Sequence, residues 1–205
     1  MKRAICLTLA GVLSAAVAGC DRDSTTTTTG GSGSGAGYSP TTSTTAPAGG
    51  GAAAAAREAT ATLEPSKAPG MDNVAGKVTF TPAGNGVRVR AEVTGLTPNA
   101  KHGFHIHEKG DLSAPDLASA GAHFNPSGHK HGGPGVHDRH DGDLGNLQAD
   151  ASGKATYDQT VEGITIDDAK TGVIGKSVIV HEKEDDLKTD PSGNSGARFA
   201  GGVIR

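Results

Sequence analysis

All nine histidines of the chain fall between His102 and His181. His105 and His107 stand two residues apart in an extended segment, so both imidazoles project from one face while Phe104 and Ile106 turn to a core. His123, His131, His140 and Asp143 follow in a polar, glycine-rich stretch. Such a stretch can wrap around an ion that then fixes it. His181 ends a later apolar run, Ser177 to His181. A lone histidine is ordinarily a structural group or a solvated one. Six imidazoles and a carboxylate at these spacings point to metal ligation, because imidazole suits copper and zinc and carboxylate also serves zinc.

The surrounding sequence reads as strands. From Arg57 onward, short alternating segments are punctuated by Gly, Pro, Asn and Asp, an all-β pattern. Val87 to Val93 alternates Val87, Val89, Ala91 and Val93 with Arg88, Arg90 and Glu92, which predicts one buried and one wet face. Lys77 to Thr81 precedes it with Val78 and Phe80 on one side, and Asn85-Gly86 between the two runs predicts a tight hairpin. Further strands are expected over Ala59 to Leu63, His102 to His107, Ala155 to Val161, Ser177 to His181 and Ala197 to Val203. No segment reads as a long amphipathic helix. A sandwich or barrel of about eight strands follows. Glu108 to Gly145 and Glu182 to Gly196 are long, polar and glycine-rich, and loops of that length in a compact domain are usually functional.

The N-terminal quarter has a different character. Lys2 and Arg3 precede an apolar run, Ala4 to Val17, that is too short to span a bilayer comfortably and reads as a signal peptide over residues 1–19. Its end, Val17-Ala18-Gly19-Cys20, resembles a bacterial lipobox, in which cleavage before the cysteine is coupled to acylation of its thiol. Several acyl chains on Cys20 would anchor the protein stably to a membrane, where a single chain binds only marginally. Residues 20–56 are dominated by Thr, Gly, Ser, Ala and Pro, too poor in large apolar side chains to offset their ordering entropy, and read as a flexible tether. The domain is then 57–205. The formal charge of −3 becomes −5 when Lys2 and Arg3 leave with the signal peptide, which argues against nucleic acid as a partner. The only cysteines are Cys6 and Cys20, so the mature domain can form no internal disulfide.

The blocks Gly103-Phe104-His105-Ile106-His107-Glu108, His123-Phe124-Asn125-Pro126, Lys130-His131-Gly132-Gly133-Pro134, Arg139-His140-Asp141-Gly142-Asp143-Leu144-Gly145-Asn146 and Val180-His181-Glu182-Lys183 together resemble the Cu,Zn superoxide dismutase family. The resemblance runs from about residue 57 to the end, with every block in the family's order. It implies an eight-stranded Greek-key β-sandwich or flattened barrel with two long functional loops, and copper and zinc as cofactors. Copper would be held by His105, His107, His123 and His181, and zinc by His123, His131, His140 and Asp143, with His123 shared. Asp185 aligns with an aspartate that hydrogen-bonds a histidine of each site. Arg198 aligns with the arginine beside the copper channel, where a fixed positive charge would guide the superoxide anion. His102 matches a structural position, whereas His129 and His137 match no ligand position and are expected as exposed loop histidines.

The resemblance also implies an enzyme that converts superoxide to dioxygen and hydrogen peroxide, and it allows a homodimer; the signal peptide and lipobox place it as an exported protein of the cell envelope or periplasm. One departure stands out. The family's disulfide would join positions that here read Leu117 and Gly201, so metal loading must carry more of the ordering of the loop. Two other functions use similar residues. A tethered copper buffer needs the ligands but not Arg198, and a copper chaperone related to the dismutase domain would tend to lack copper ligands and to carry cysteine motifs.

Overall fold

A computed structural model describes residues 57–67 and 73–205; the expected signal peptide, Cys20 and the tether lie outside the described residues. Eight strands follow in chain order: β1 (Ala59–Pro65), β2 (Ala75–Ala83), β3 (Gly86–Thr94), β4 (Lys101–His107), β5 (Asp143–Gln148), β6 (Ala155–Glu162), β7 (Ser177–His181) and β8 (Arg198–Val203). All pairings between them are antiparallel, in the order β5-β4-β7-β8-β1-β2-β3-β6. One layer is β1-β2-β3-β6 and the other β8-β7-β4-β5. The end of β1 joins them by pairing Glu64 with Gly201 and Pro65 with Ala200. The chain changes layer between β3 and β4, between β5 and β6, and again between β6 and β7. This is a Greek-key sandwich, rolled into a flattened barrel.

The core lies between the layers and is built by period-two alternation. Along β3 burial alternates without a break, so Val87, Val89, Ala91 and Val93 are buried while Arg88, Arg90 and Glu92 face water. Across the sandwich Phe104, Ile106, Val178 and Val180 meet Val78, Phe80 and Tyr157 in one cluster. Burying each large apolar side chain contributes about 1.5–3 kcal/mol. Tyr157 packs edge-on against Phe104 at 5.3 Å, and its hydroxyl donates to the Leu144 carbonyl at 3.0 Å.

Three details differ from the sequence reading. The β2–β3 turn is Gly84-Asn85, since Ala83 pairs with Gly86 and the positive φ is at Gly84 (58°), so Gly86 already belongs to the strand. A glycine at the first turn position favours the mirror-image turn geometry that matches strand twist. The loop expected to reach Gly145 ends at Gly142, because Asp143–Gln148 forms β5. Its Asp-Leu-Gly-Asn run carries little β propensity and is held by pairing with β4. The loop between β4 and β5 also contains one 3-10 turn, Ala118–Ala120.

Candidate metal centre

Two strands present three of the histidines on the outer face of the second layer. On β4, Phe104 and Ile106 belong to the core, so His105 and His107 point away from it. On β7, Val178 and Val180 belong to the core and His181 shares the opposite face with Ile179. His105 pairs with Ile179 across the strands, which sets the β4 and β7 histidines side by side. Gly103 leaves room between them, since a Cβ there would lie 3.1 Å from His105 Cε1 and 3.4 Å from the His181 Cβ.

Two β-bulges bring the remaining groups onto this face. In β5 the register against β4 shifts by one between Gly103 and His105, and Gly145 takes φ 83°, so Asp143 ends up opposite His105. In β8 the register against β7 shifts at the residue after Arg198, so Arg198 pairs with His181 although Ala200, two residues on, is in the core. A bulge turns the side chain at the strand end toward the site. Strict alternation could not have done so.

The long loop supplies the other ligands. His123 bridges to His107 by isolated strand pairing, and Phe124 anchors it through hydrogen bonds with Ile106 and Gly142. The His131 N–H donates to Asp190 Oδ1 at 2.6 Å, tying this loop to the one between β7 and β8. The seven side chains fall into two groups, His105, His107, His123 and His181, and His123, His131, His140 and Asp143, with the candidate ligand atoms of each within 4.8 Å of one another. All seven residues are buried.

The donor atoms fit metal ions. His105 Nδ1, His123 Nε2 and His131 Nδ1 are buried without a hydrogen-bond partner. A buried polar atom left unpaired costs about 1–3 kcal/mol, so their convergence needs a shared partner. His107 Nε2 and His181 Nε2 face each other at 3.3 Å, while their Nδ1 atoms donate to the carbonyls of Gly121 and Gly196 and leave Nε2 with its lone pair. In the second group, Asp143 Oδ1 lies 2.7 Å from His123 Nδ1 and 3.3 Å from His140 Nδ1, and its Oδ2 lies 3.1 Å from His131 Nδ1. Ligands about 2.0–2.1 Å from a tetrahedral zinc stand about 3.3 Å apart. Four imidazoles suit copper, and three imidazoles with a carboxylate suit zinc.

Electrostatics separates the two halves. Burial holds His105, His107 and His181 below the ordinary imidazole range, and it takes His123 down to about 4 despite Asp143. Neutral imidazole is the form a metal needs. Burial opposes charge on His131 too, but Asp143 and Asp185 flank its two nitrogens and raise it to about 10. Burial would raise Asp143, yet the His123, His131 and His140 rings around it outweigh that and hold it far below the carboxylate range. These carboxylates call for a cation beside them.

Asp185 spans the two groups. Its Oδ2 accepts from His105 Nε2 at 2.8 Å and its Oδ1 from His131 Nε2 at 2.9 Å, which leaves the Nδ1 atom of each ring for a metal. Asn146, which the sequence reading left without a role, grips the Asp185 backbone by donating to its carbonyl at 2.9 Å and accepting its N–H at 2.8 Å. Its place on β5 opposite Gly103 was the available signal. The Gly121 carbonyl was also missed. It accepts from both His107 Nδ1 and Arg198 Nη2, which no side-chain pattern reveals. His102 lies outside both groups, with its Nδ1 against the His181 carbonyl at 2.8 Å. His137 is exposed and pairs with Asp138, but His129 is half-buried, its backbone tied on both sides to the Asn125 amide.

Comparison with known proteins agrees with this geometry. The family model described as copper/zinc superoxide dismutase (SODC) matches residues 74–204. An extracellular Cu-Zn superoxide dismutase of Drosophila melanogaster is 50% identical over 139 residues, which cover 64% of this chain and 75% of that one. A copper chaperone for superoxide dismutase from Rattus norvegicus is 45% identical over 122 residues, 57% of this chain and 42% of the chaperone. Among solved structures, the clock protein EA4 superposes with a TM-score of 0.65 at 39% identity, covering 73% of this chain and 94% of that one. With the matched segment spanning all four copper-side histidines, the zinc-side group and Arg198, the chain belongs to the copper/zinc superoxide dismutase family.

Proposed function

We propose that the protein disproportionates superoxide to dioxygen and hydrogen peroxide, with copper held by His105, His107, His123 and His181 and zinc by His123, His131, His140 and Asp143. The observation that carries the assignment is the set of orphaned nitrogens, above all His123, whose Nδ1 faces Asp143 and whose buried Nε2 has no other partner. Bound copper supplies the one-electron couple of the reaction, and zinc is redox-silent. Asp185 fixes the tautomers of His105 and His131. His123 Nε2 is the atom placed to hold a proton between turnovers and hand it to product. Arg198 keeps a half-buried positive charge beside His107 and His181, where it attracts a small anion and orients it.

Arg198 favours this enzyme over a copper buffer, since storage gains nothing from a cation aimed at the site. The copper-chaperone reading fares worse, because all four copper-side histidines are retained and converge. The test is chain reconstituted with both metals and assayed for inhibition of cytochrome c reduction by a superoxide source. Strong inhibition is expected, and none at full occupancy of both sites would leave only a binding role. The chain is exported, and we extend this to lipid anchoring through Cys20 with residues 20–56 as tether: Cys20→Ser should move the protein from the membrane to the soluble fraction. A homodimer, which the resemblance allows, would sediment at twice the mass of one chain.

A further inference from the structure

We propose that Leu117 is a positioning residue for Arg198, acting through an apolar anchor on the outer face of β7 and β8; the inference rests on the reading of Arg198 as the anion guide. Ile179 faces away from the main core and forms a second, separate cluster with Leu117 and Ala120, with Leu112 packed on it. This cluster is what the β4–β5 loop sets down on the sheet. Gly201, opposite Ile179 on β8, provides the seat. A Cβ on Gly201 would lie 2.7 Å from Ile179 Cδ1, 3.2 Å from Leu117 Cδ1 and 3.4 Å from Leu112 Cδ2, so these side chains fill the space that its missing side chain leaves.

The anchor matters because of what the Leu117 backbone does. Leu117 takes φ 60°, a left-handed conformation that is costly for a leucine and persists only where surroundings enforce it. Its carbonyl accepts the Ala120 N–H at 3.1 Å and Arg198 Nη1 at 2.5 Å. One turn later the Gly121 carbonyl accepts Arg198 Nη2 at 2.7 Å and His107 Nδ1 at 3.0 Å. The guanidinium is thus aimed by two loop carbonyls, and the loop is fixed by Leu117 on Gly201. No cysteine occurs among the described residues, so no covalent bond shares the task.

The test uses the full chain loaded with copper and zinc, comparing Leu117→Ala, Arg198→Ala, the double variant and the conservative Leu117→Met. Leu112→Ala, at a half-buried position, serves if Leu117→Ala fails to fold. With metal occupancy unchanged, Leu117→Ala should speed amide exchange at Ala120 and Gly121 about tenfold, weaken azide binding several-fold and lower kcat/KM about fivefold, a partial loss of the roughly 10–1,000-fold by which charge guidance raises association rates. Leu117→Met should restore all three. In the double variant kcat/KM should fall no lower than in Arg198→Ala alone, the mark of two residues acting as one unit. Unchanged exchange at Ala120 and Gly121, or losses that multiply in the double variant, would overturn the proposal. Wild-type kcat/KM in Arg198→Ala would instead remove the reading of Arg198 itself, and the proposal with it.

Discussion

Replacing Asp185 by Asn changes one atom and separates the two metal sites. The carboxylate accepts three hydrogen bonds, from His105 at 2.8 Å, His131 at 2.9 Å and the Leu187 N–H at 2.7 Å. Asparagine keeps one acceptor oxygen, so its NH2 must face one of the two imidazole N–H groups. That ring either loses a charge-assisted bond, worth about 1.5–3 kcal/mol, or moves its proton to the nitrogen the metal needs. Second-partner losses of this kind cost about 10–100-fold in metal affinity, or about 1.4–2.7 kcal/mol, and the two estimates agree. Titration of D185N against a chromophoric chelator should therefore show one metal bound about 10–100-fold more weakly and the other less affected. Asn146→Ala, which loosens only the Asp185 backbone, should cost less than about tenfold. Both metals bound within about twofold of wild type in a correctly folded D185N would refute the role given to Asp185.

Other outcomes follow from the same geometry. Chelation of both metals should lower the melting temperature sharply, whereas dithiothreitol should leave it unchanged because the domain contains no cysteine; a melt sensitive to reductant would contradict this. In the chelated protein, stability should rise with pH from about 4 to 6.5, because His123 is depressed to about 4 and the unfolded chain binds the extra proton there. The depressed Asp143 and Asp185 add to the loss in acid, below their ordinary range. Above pH 6.5 the sign reverses, since His131 at about 10 keeps a proton in the folded state that the unfolded chain releases. Thermal melts should peak near pH 6.5, and a melting temperature still climbing at pH 9 would be inconsistent with two carboxylates on His131. Tyr157→Phe removes the hydrogen bond to the Leu144 carbonyl and should cost about 0.5–1.5 kcal/mol, read as a lower urea midpoint at unchanged slope.

The sequence carried the parts of this protein that rest on strong local chemistry. Period-two alternation marks β2 and β3, because a half-buried strand must sort its side chains that way, and on β4 it sets His105 and His107 opposite Phe104 and Ile106 although both faces are buried. The ligand residues were legible because their side-chain chemistry is unusual in such numbers. What escaped depends on backbone geometry and partners distant in sequence. β5 is a strand through its pairing with β4, not through its own propensity. The bulge that turns Arg198 to the site and the Gly121 carbonyl that it shares with His107 are register and main-chain features, without a residue type to announce them. Asn146 only closes one of the sequence blocks, and its grip on Asp185 appears once β5 and the β7–β8 loop lie together.

The most direct measurement is anomalous diffraction at the copper and zinc absorption edges from crystals of the metal-replete protein. The account predicts one copper peak among His105, His107, His123 and His181, one zinc peak among His123, His131, His140 and Asp143, and the His123 ring between them. A single ion, or two ions that do not share His123, would contradict it.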